Sequence, residues 1–195
     1  EECHAAVRGA SVTGLPIVLT LSIETNGRTM MGITPSDLVQ LQDDLCTPLA
    51  AYGTNCGLGA AEVIAGIINM KKAADLANVK PILVAKGNCG IPEWIDGKIC
   101  YSGTPELMAI YTKMAIDSGA RIIGGCCGTS PKHVAEMRKV IDSHEKGDTP
   151  DLARIESELG VITSGAKAQM GGDLTIAGGA AGPGHKASGR SRRRR

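Results

Sequence analysis

Short runs of almost uninterrupted apolar residues, each followed by a segment of helical length, constrain this chain more than any other feature. Leu15-Pro16-Ile17-Val18-Leu19-Thr20-Leu21-Ser22-Ile23, Leu49 to Asn55, Pro81 to Lys86 and Arg121-Ile122-Ile123 read as strands. Their lack of polar alternation is that of strands buried on both faces. Between them lie helices: Glu1 to Ala10, Pro35 to about Cys46, Ala60 to Leu76, Pro105 to about Ser118, and a last one opened by Ser130-Pro131-Lys132-His133. Thr34-Pro35-Ser36-Asp37 and Gly103-Thr104-Pro105-Glu106 carry an N-cap hydroxyl with Pro at the first helical position. The stretch through Trp94 and Tyr101 reads as a long loop. With no Phe and a single Trp, the core has to be built from branched aliphatics, Met and Ala. Strands alternating with helices imply parallel pairing through right-handed crossovers.

Such a repeat either closes into a (β/α)8 barrel or stays open as a doubly wound sheet. The cysteines bear on the choice. Gly53-Thr54-Asn55-Cys56-Gly57 and Gly124-Gly125-Cys126-Cys127-Gly128-Thr129 both lie just beyond strand ends, where barrel enzymes place their reactive residues. Four βα units make about half of a barrel of roughly 250 residues. The opening Glu1-Glu2-Cys3-His4 lacks an initiating Met and reads as the inside of a helix. The expected fold is therefore α/β, the C-terminal half of a (β/α)8 TIM barrel over residues 1–150, with the N-terminal strands missing. Residues 151–195 are expected to be a linker and a disordered Gly/Ala/Arg-rich tail, because that composition buries too little apolar surface to offset ordering.

Three thiols from two loops suit zinc, which takes four tetrahedral ligands; three protein ligands with one open position is the catalytic pattern. A three-thiolate site is soft enough to accept a fourth sulfur and to hold it deprotonated, which points to a small thiol substrate rather than to hydrolysis. Vicinal cysteines can also be structural or redox-active, and spacing alone does not separate these readings. Cys3, Cys46, Cys89 and Cys100 read as small hydrophobes or incidental thiols. Gly124, Gly125 and Gly128 read as turn residues or as room for a ligand. Asn88 could hydrogen-bond substrate or support an Asx turn, Arg28 could bind a carboxylate or remain a solvated loop residue, and His133 reads as a capping or surface residue.

The two cysteine segments, continued by Ser130-Pro131-Lys132-His133-Val134, resemble the paired signature of the homocysteine S-methyltransferase family. Gly27-Arg28-Thr29-Met30-Met31-Gly32, Asn88-Cys89-Gly90-Ile91-Pro92 and the stretch from Asp96-Gly97-Lys98 to Met108 are also similar to segments of that family. The resemblance spans residues 1 to about 144. It implies a (β/α)8 barrel and a zinc-dependent transfer of a methyl group to the thiol of homocysteine, giving methionine. Cys56, Cys126 and Cys127 would hold Zn2+, the substrate sulfur would be the fourth ligand, and Asn55 and Asn88 would bind substrate. Betaine, S-methylmethionine, S-adenosylmethionine and methylcobalamin all stay open as donor. The acidic residue with which the family binds the amino group lies upstream of Glu1, so this chain alone is expected to be inactive. Cys89 stands where the family often has Ala, which leaves a second reading: a non-catalytic zinc module closed by four cysteines.

Seven cysteines without a leading signal segment, and no apolar run of membrane-spanning length, lead to the expectation of a reducing, cytoplasmic setting and no membrane partner. The run Arg190-Ser191-Arg192-Arg193-Arg194-Arg195 is expected to solubilise rather than to bind nucleic acid, since no aromatic residues are interleaved to stack on bases. A homo-oligomer remains open.

Overall fold

A computed structural model of the protein describes residues 1–23, 26–90 and 92–173. In chain order the elements are α1 (Glu2–Ser11), β1 (Val18–Ser22), α2 (Pro35–Asp44), β2 (Ala51–Cys56), α3 (Ala60–Leu76), β3 (Leu83–Gly87), β4 (Pro92–Ile95), β5 (Lys98–Tyr101), α4 (Pro105–Asp117), β6 (Ala120–Gly125), α5 (Pro131–Ser143), α6 (Leu152–Leu159) and α7 (Ser164–Met170). The expected caps start three of the helices. The Thr34 hydroxyl accepts from Asp37 N at 3.1 Å while Thr34 N donates to the Asp37 carboxylate at 2.8 Å. Thr104 accepts from Leu107 N at 3.2 Å. Ser130 N donates to His133 Nδ1 at 2.9 Å, so His133 serves as a cap.

β1, β2, β3 and β6 form one parallel sheet in that spatial order. Each neighbour is the next strand of the sheet along the chain, so the winding never reverses as it does at the switch point of a doubly wound sheet. An α/β fold with this order is compatible with part of a (β/α)8 barrel. Leu19, Leu21, Tyr52, Leu83, Ala85 and Ile123 turn into one core with Ile64, Ile67 and Met70 of α3 and Met108 and Met114 of α4. α3 is buried on every side through its first eleven residues, 60–70, as expected of a helix that is apolar all round. Residues of the other parity line the opposite face, where Val18 and Ile122 stay exposed. There the register sets Ser22, Asn55, Lys86 and Gly124 side by side, near the C-terminal strand ends.

The structure departs from the sequence reading at two places. The expected loop through Trp94 and Tyr101 is an antiparallel hairpin, β4 pairing with β5. Its two-residue turn, Asp96-Gly97, has φ of +49° and +77°, the geometry that Asp-Gly supplies between right-twisted strands. The helix opened by Ser130 is not the last, because α6 and α7 follow it inside the stretch read as linker. Buried Asp117 anchors the approach to α6, accepting from Gly147 N at 2.7 Å and pairing with His144 at 2.9 Å and Arg154 at 3.8 Å. Residues 174–195, which carry the expected Gly/Ala/Arg-rich tail, lie outside the described residues. Among the described residues no helix is long and apolar enough to cross a membrane.

Candidate metal centre

Cys56 closes β2, and its backbone sits in the left-handed region at φ +60°, followed by Gly57 at +70°. A non-glycine residue there costs about 1–2 kcal/mol, and the conformation ends the strand sharply at its C-terminal edge. Cys126 and Cys127 leave β6 at the same edge, two strands away. The segment between them, Gly87-Asn88-Cys89 at the end of β3, ties both cysteine loops together. Gly87 O accepts from Cys126 N at 2.8 Å, and Cys89 N donates to Cys127 O at 2.9 Å. The Asn88 amide spans the gap, donating through Nδ2 to Gly57 O at 2.8 Å and accepting at Oδ1 from Cys127 N at 3.1 Å. Fully buried Tyr111 holds the segment from below, its hydroxyl accepting from Gly87 N at 2.9 Å.

The result is a cluster of the Cys56, Cys126 and Cys127 sulfurs, all within 4.8 Å of one another. Cys56 Sγ lies 3.7 Å from Cys127 Sγ, and Cys126 Sγ lies 4.0 Å from Cys127 Sγ. Tetrahedral zinc with bonds of about 2.3 Å would set its sulfurs about 3.8 Å apart. The donor set therefore fits that ion in both chemistry and spacing. Among the described residues this is the one group of at least three such side chains able to hold a metal, and Cys89 is not part of it. Cys89 is buried in the core and bonds to the site through its backbone alone. Cys89 thus stands apart from the three-sulfur cluster.

The thiols perturb one another. Burial, and hydrogen bonds to Cys127 and Cys126, push the Cys56 thiol up to about 11. The Cys127 thiol is lowered instead, by hydrogen bonds from Cys56 and then from Tyr101. The opposite shifts of Cys56 and Cys127 follow from the same sulfur–sulfur contacts, in which one thiol donates and the other accepts.

Of the remaining residues singled out in the sequence, Asn55 lies on the sheet face away from the helices and donates to Ser22 Oγ at 3.3 Å. Asn88 has both amide atoms engaged, as described. Arg28 donates to Gly32 O at 3.3 Å within its own loop. Sequence reasoning passed over Tyr101 and Tyr111 at the centre. Tyr101 had a signal in the Asp-Gly hairpin that ends on it, whereas Tyr111 is an ordinary core position of α4 until its hydroxyl is seen under Gly87.

Comparison with known proteins agrees with this geometry. The chain is 28% identical over 170 residues to betaine–homocysteine S-methyltransferase 1 of Danio rerio, covering 79% of this chain and 40% of that protein. The chain thus spans well under half the length of that relative. The model of the homocysteine S-methyltransferase family matches residues 1–141, a stretch that contains both cysteine loops, and on that match the chain belongs to the homocysteine S-methyltransferase family.

Proposed function

We propose that this chain supplies the thiol-activating half of a zinc-dependent methyltransferase that converts homocysteine to methionine, within a (β/α)8 barrel of which the four-stranded sheet is one half. The observation that carries the reading is the spacing of the three sulfurs at the C-terminal edge of a parallel sheet, in a chain of this family. Cys56, Cys126 and Cys127 would hold Zn2+, which when bound supplies a Lewis acid that keeps a fourth sulfur as its thiolate at neutral pH.

The chain's own residues set the geometry. Asn88 and the Gly87 carbonyl hold the two cysteine loops in register at the strand ends, so that the three sulfurs would be ready to hold the ion together. After its two bonds Asn88 still has one N–H to offer a substrate, and Asn55 stands one residue before Cys56 with its amide on the open sheet face. In the reaction the substrate sulfur's lone pair forms a bond to the methyl carbon, and the donor's heteroatom leaves with the pair of electrons that held that carbon. No side chain has to move a proton, so rate comes from alignment and from the state of the sulfur.

Two measurements test the proposal. Metal analysis of the purified chain should find about one zinc per chain, and Cys56→Ser should lose it. Methionine formation from homocysteine is assayed with betaine, S-methylmethionine, S-adenosylmethionine and methylcobalamin, on the chain and on a chimera whose first barrel half comes from the Danio rerio relative. Activity of the chimera with one donor is expected. A zinc-free protein, or a zinc-loaded chimera inert with every donor, would reject the proposal.

A further inference from the structure

α2, α3 and α7 frame a cavity of about 400 Å3, a volume in the range of small-molecule sites. Val39 of α2 and Ala73 and Leu76 of α3 give it apolar walls, while Asn69 of α3 and Gln169 of α7 add two amides to the lining. α7 lies beyond the stretch 1–141 that the family model matches, so the cavity is not built from the shared stretch alone. Both amides are buried, Asn69 at 4% exposure and Gln169 at 3%. Among the described residues Asn69 Nδ2 and Oδ1 have no hydrogen-bond partner, and Gln169 Oε1 has none. The other end of the Gln169 amide is engaged, Nε2 donating to Gly27 O at 3.1 Å. Buried amide atoms without partners are costly. Here three of them, from two helices, belong to residues lining one cavity.

A ligand that satisfies these atoms has to offer two N–H or O–H donors, for Asn69 Oδ1 and Gln169 Oε1, and one acceptor for Asn69 Nδ2. It also needs a body that tolerates the apolar walls. A primary amino group beside a ring nitrogen meets both demands: its two N–H bonds and the neighbouring lone pair share one edge of a flat ring. Aminopurines carry that edge, and an Asn amide pairs with adenine through both of its polar atoms. We infer that the cavity is a binding site for an adenine-type base, with Asn69 holding the amino group and the adjacent ring nitrogen while Gln169 Oε1 accepts the second amino N–H. Gly27, which the same Gln169 amide holds, lies in the segment that follows the C-terminal end of β1. A base seated on Oε1 thus steadies the amide that docks α7 on that segment. The site uses none of the chemistry proposed for the metal centre.

The test titrates the full chain with adenosine and with inosine in a calorimeter, and follows thermal melts with each nucleoside present. Wild type should bind adenosine and melt at a higher temperature when saturated with it. Inosine, whose ring oxygen replaces the amino group and sets an acceptor against Gln169 Oε1, should bind roughly tenfold more weakly or worse. Asn69→Leu, which keeps the bulk and removes the unpaired amide, should fold at least as stably as wild type without ligand and lose adenosine binding. Gln169→Met should bind the two nucleosides alike; should that variant fail to fold, Asn69→Leu and the inosine comparison still decide. Equal binding of adenosine and inosine by wild type, or undiminished adenosine binding by Asn69→Leu, would overturn the inference. So would a wild type that binds neither nucleoside at millimolar concentration, which would leave water as the occupant. Binding should be the same with zinc present or stripped, so failure here leaves the proposed function standing, and a zinc-free protein leaves this site standing.

Discussion

Cys56 is the residue on which the chemistry of the metal-free centre turns. Its thiol, ordinarily at 9.0, is raised to about 11 by burial and by its sulfur neighbours, so the folded chain holds that proton more tightly than the unfolded chain does. The sign follows: this group's contribution to stability is fully present below pH 9.0 and is lost as pH climbs toward about 11. Thermal melts of metal-free protein should fall over that window, and Cys56→Ser should flatten the fall. Metal binding runs in the other direction, because zinc displaces the proton that Cys56 keeps. Chelator-competed zinc affinity should therefore rise between pH 6 and 9, about tenfold per pH unit for each proton displaced. A pH-independent affinity would show that the sulfurs do not bind the ion as thiolates. The identity of these three cysteines as a set was legible in the sequence from their strand-end positions and the family resemblance. The perturbation of Cys56 was not, since it depends on sulfurs 70 and 71 positions away coming within 4.8 Å.

At the scale of elements, the helices were legible where a cap or an apolar period announced them, and two signals were present but unused. Asp96-Gly97 between Trp94-Ile95 and Lys98-Ile99 carries the hairpin, and Leu152, Ile155 and Leu159 behind an Asp151 cap mark α6 as amphipathic. α7 offers no such period. Its sequence Ser-Gly-Ala-Lys-Ala-Gln-Met is held as a helix by tertiary contacts: buried Glu62 accepts from Thr163 N at 2.6 Å, the Gln169 amide donates to Gly27 O at 3.1 Å, and Asn26 accepts from Gly165 N at 2.5 Å. Gly165 has no room for a side chain, since a Cβ would lie 2.2 Å from Asn26 O. Gly165→Val should therefore destabilise the protein by about 1–3 kcal/mol, lower its melting temperature by several degrees and speed proteolysis in the loop around Gly27. A variant as stable as wild type would mean that α7 is not docked there in solution.

The whole molecule presents a sheet covered by helices on one face and paired on one side only at β1 and β6, among the described residues. Val18 on β1 and Ile122 on β6 remain exposed, as do Leu15, Met30 and Met31 near the β1 edge. Unpaired strand edges with apolar neighbours associate. In sedimentation experiments the isolated chain should self-associate as its concentration rises, and Val18→Lys should weaken that association. A strictly monomeric chain at high concentration would argue that both edges are protected in solution.

The sequence by itself determined the alternation of strand and helix, the placing of both cysteine loops at strand ends, and the family, because all three are written in local pattern: apolar runs, capping residues and contiguous motifs. It left open the spatial order of the strands, and it could not say whether Cys89 joined the other thiols. Tertiary structure decided those, together with the amide bridge of Asn88, the tyrosines that flank the centre and the docking of α7. Each of these depends on which atoms come within about 3–4 Å of one another after strands distant in sequence have paired, and no local pattern encodes that distance.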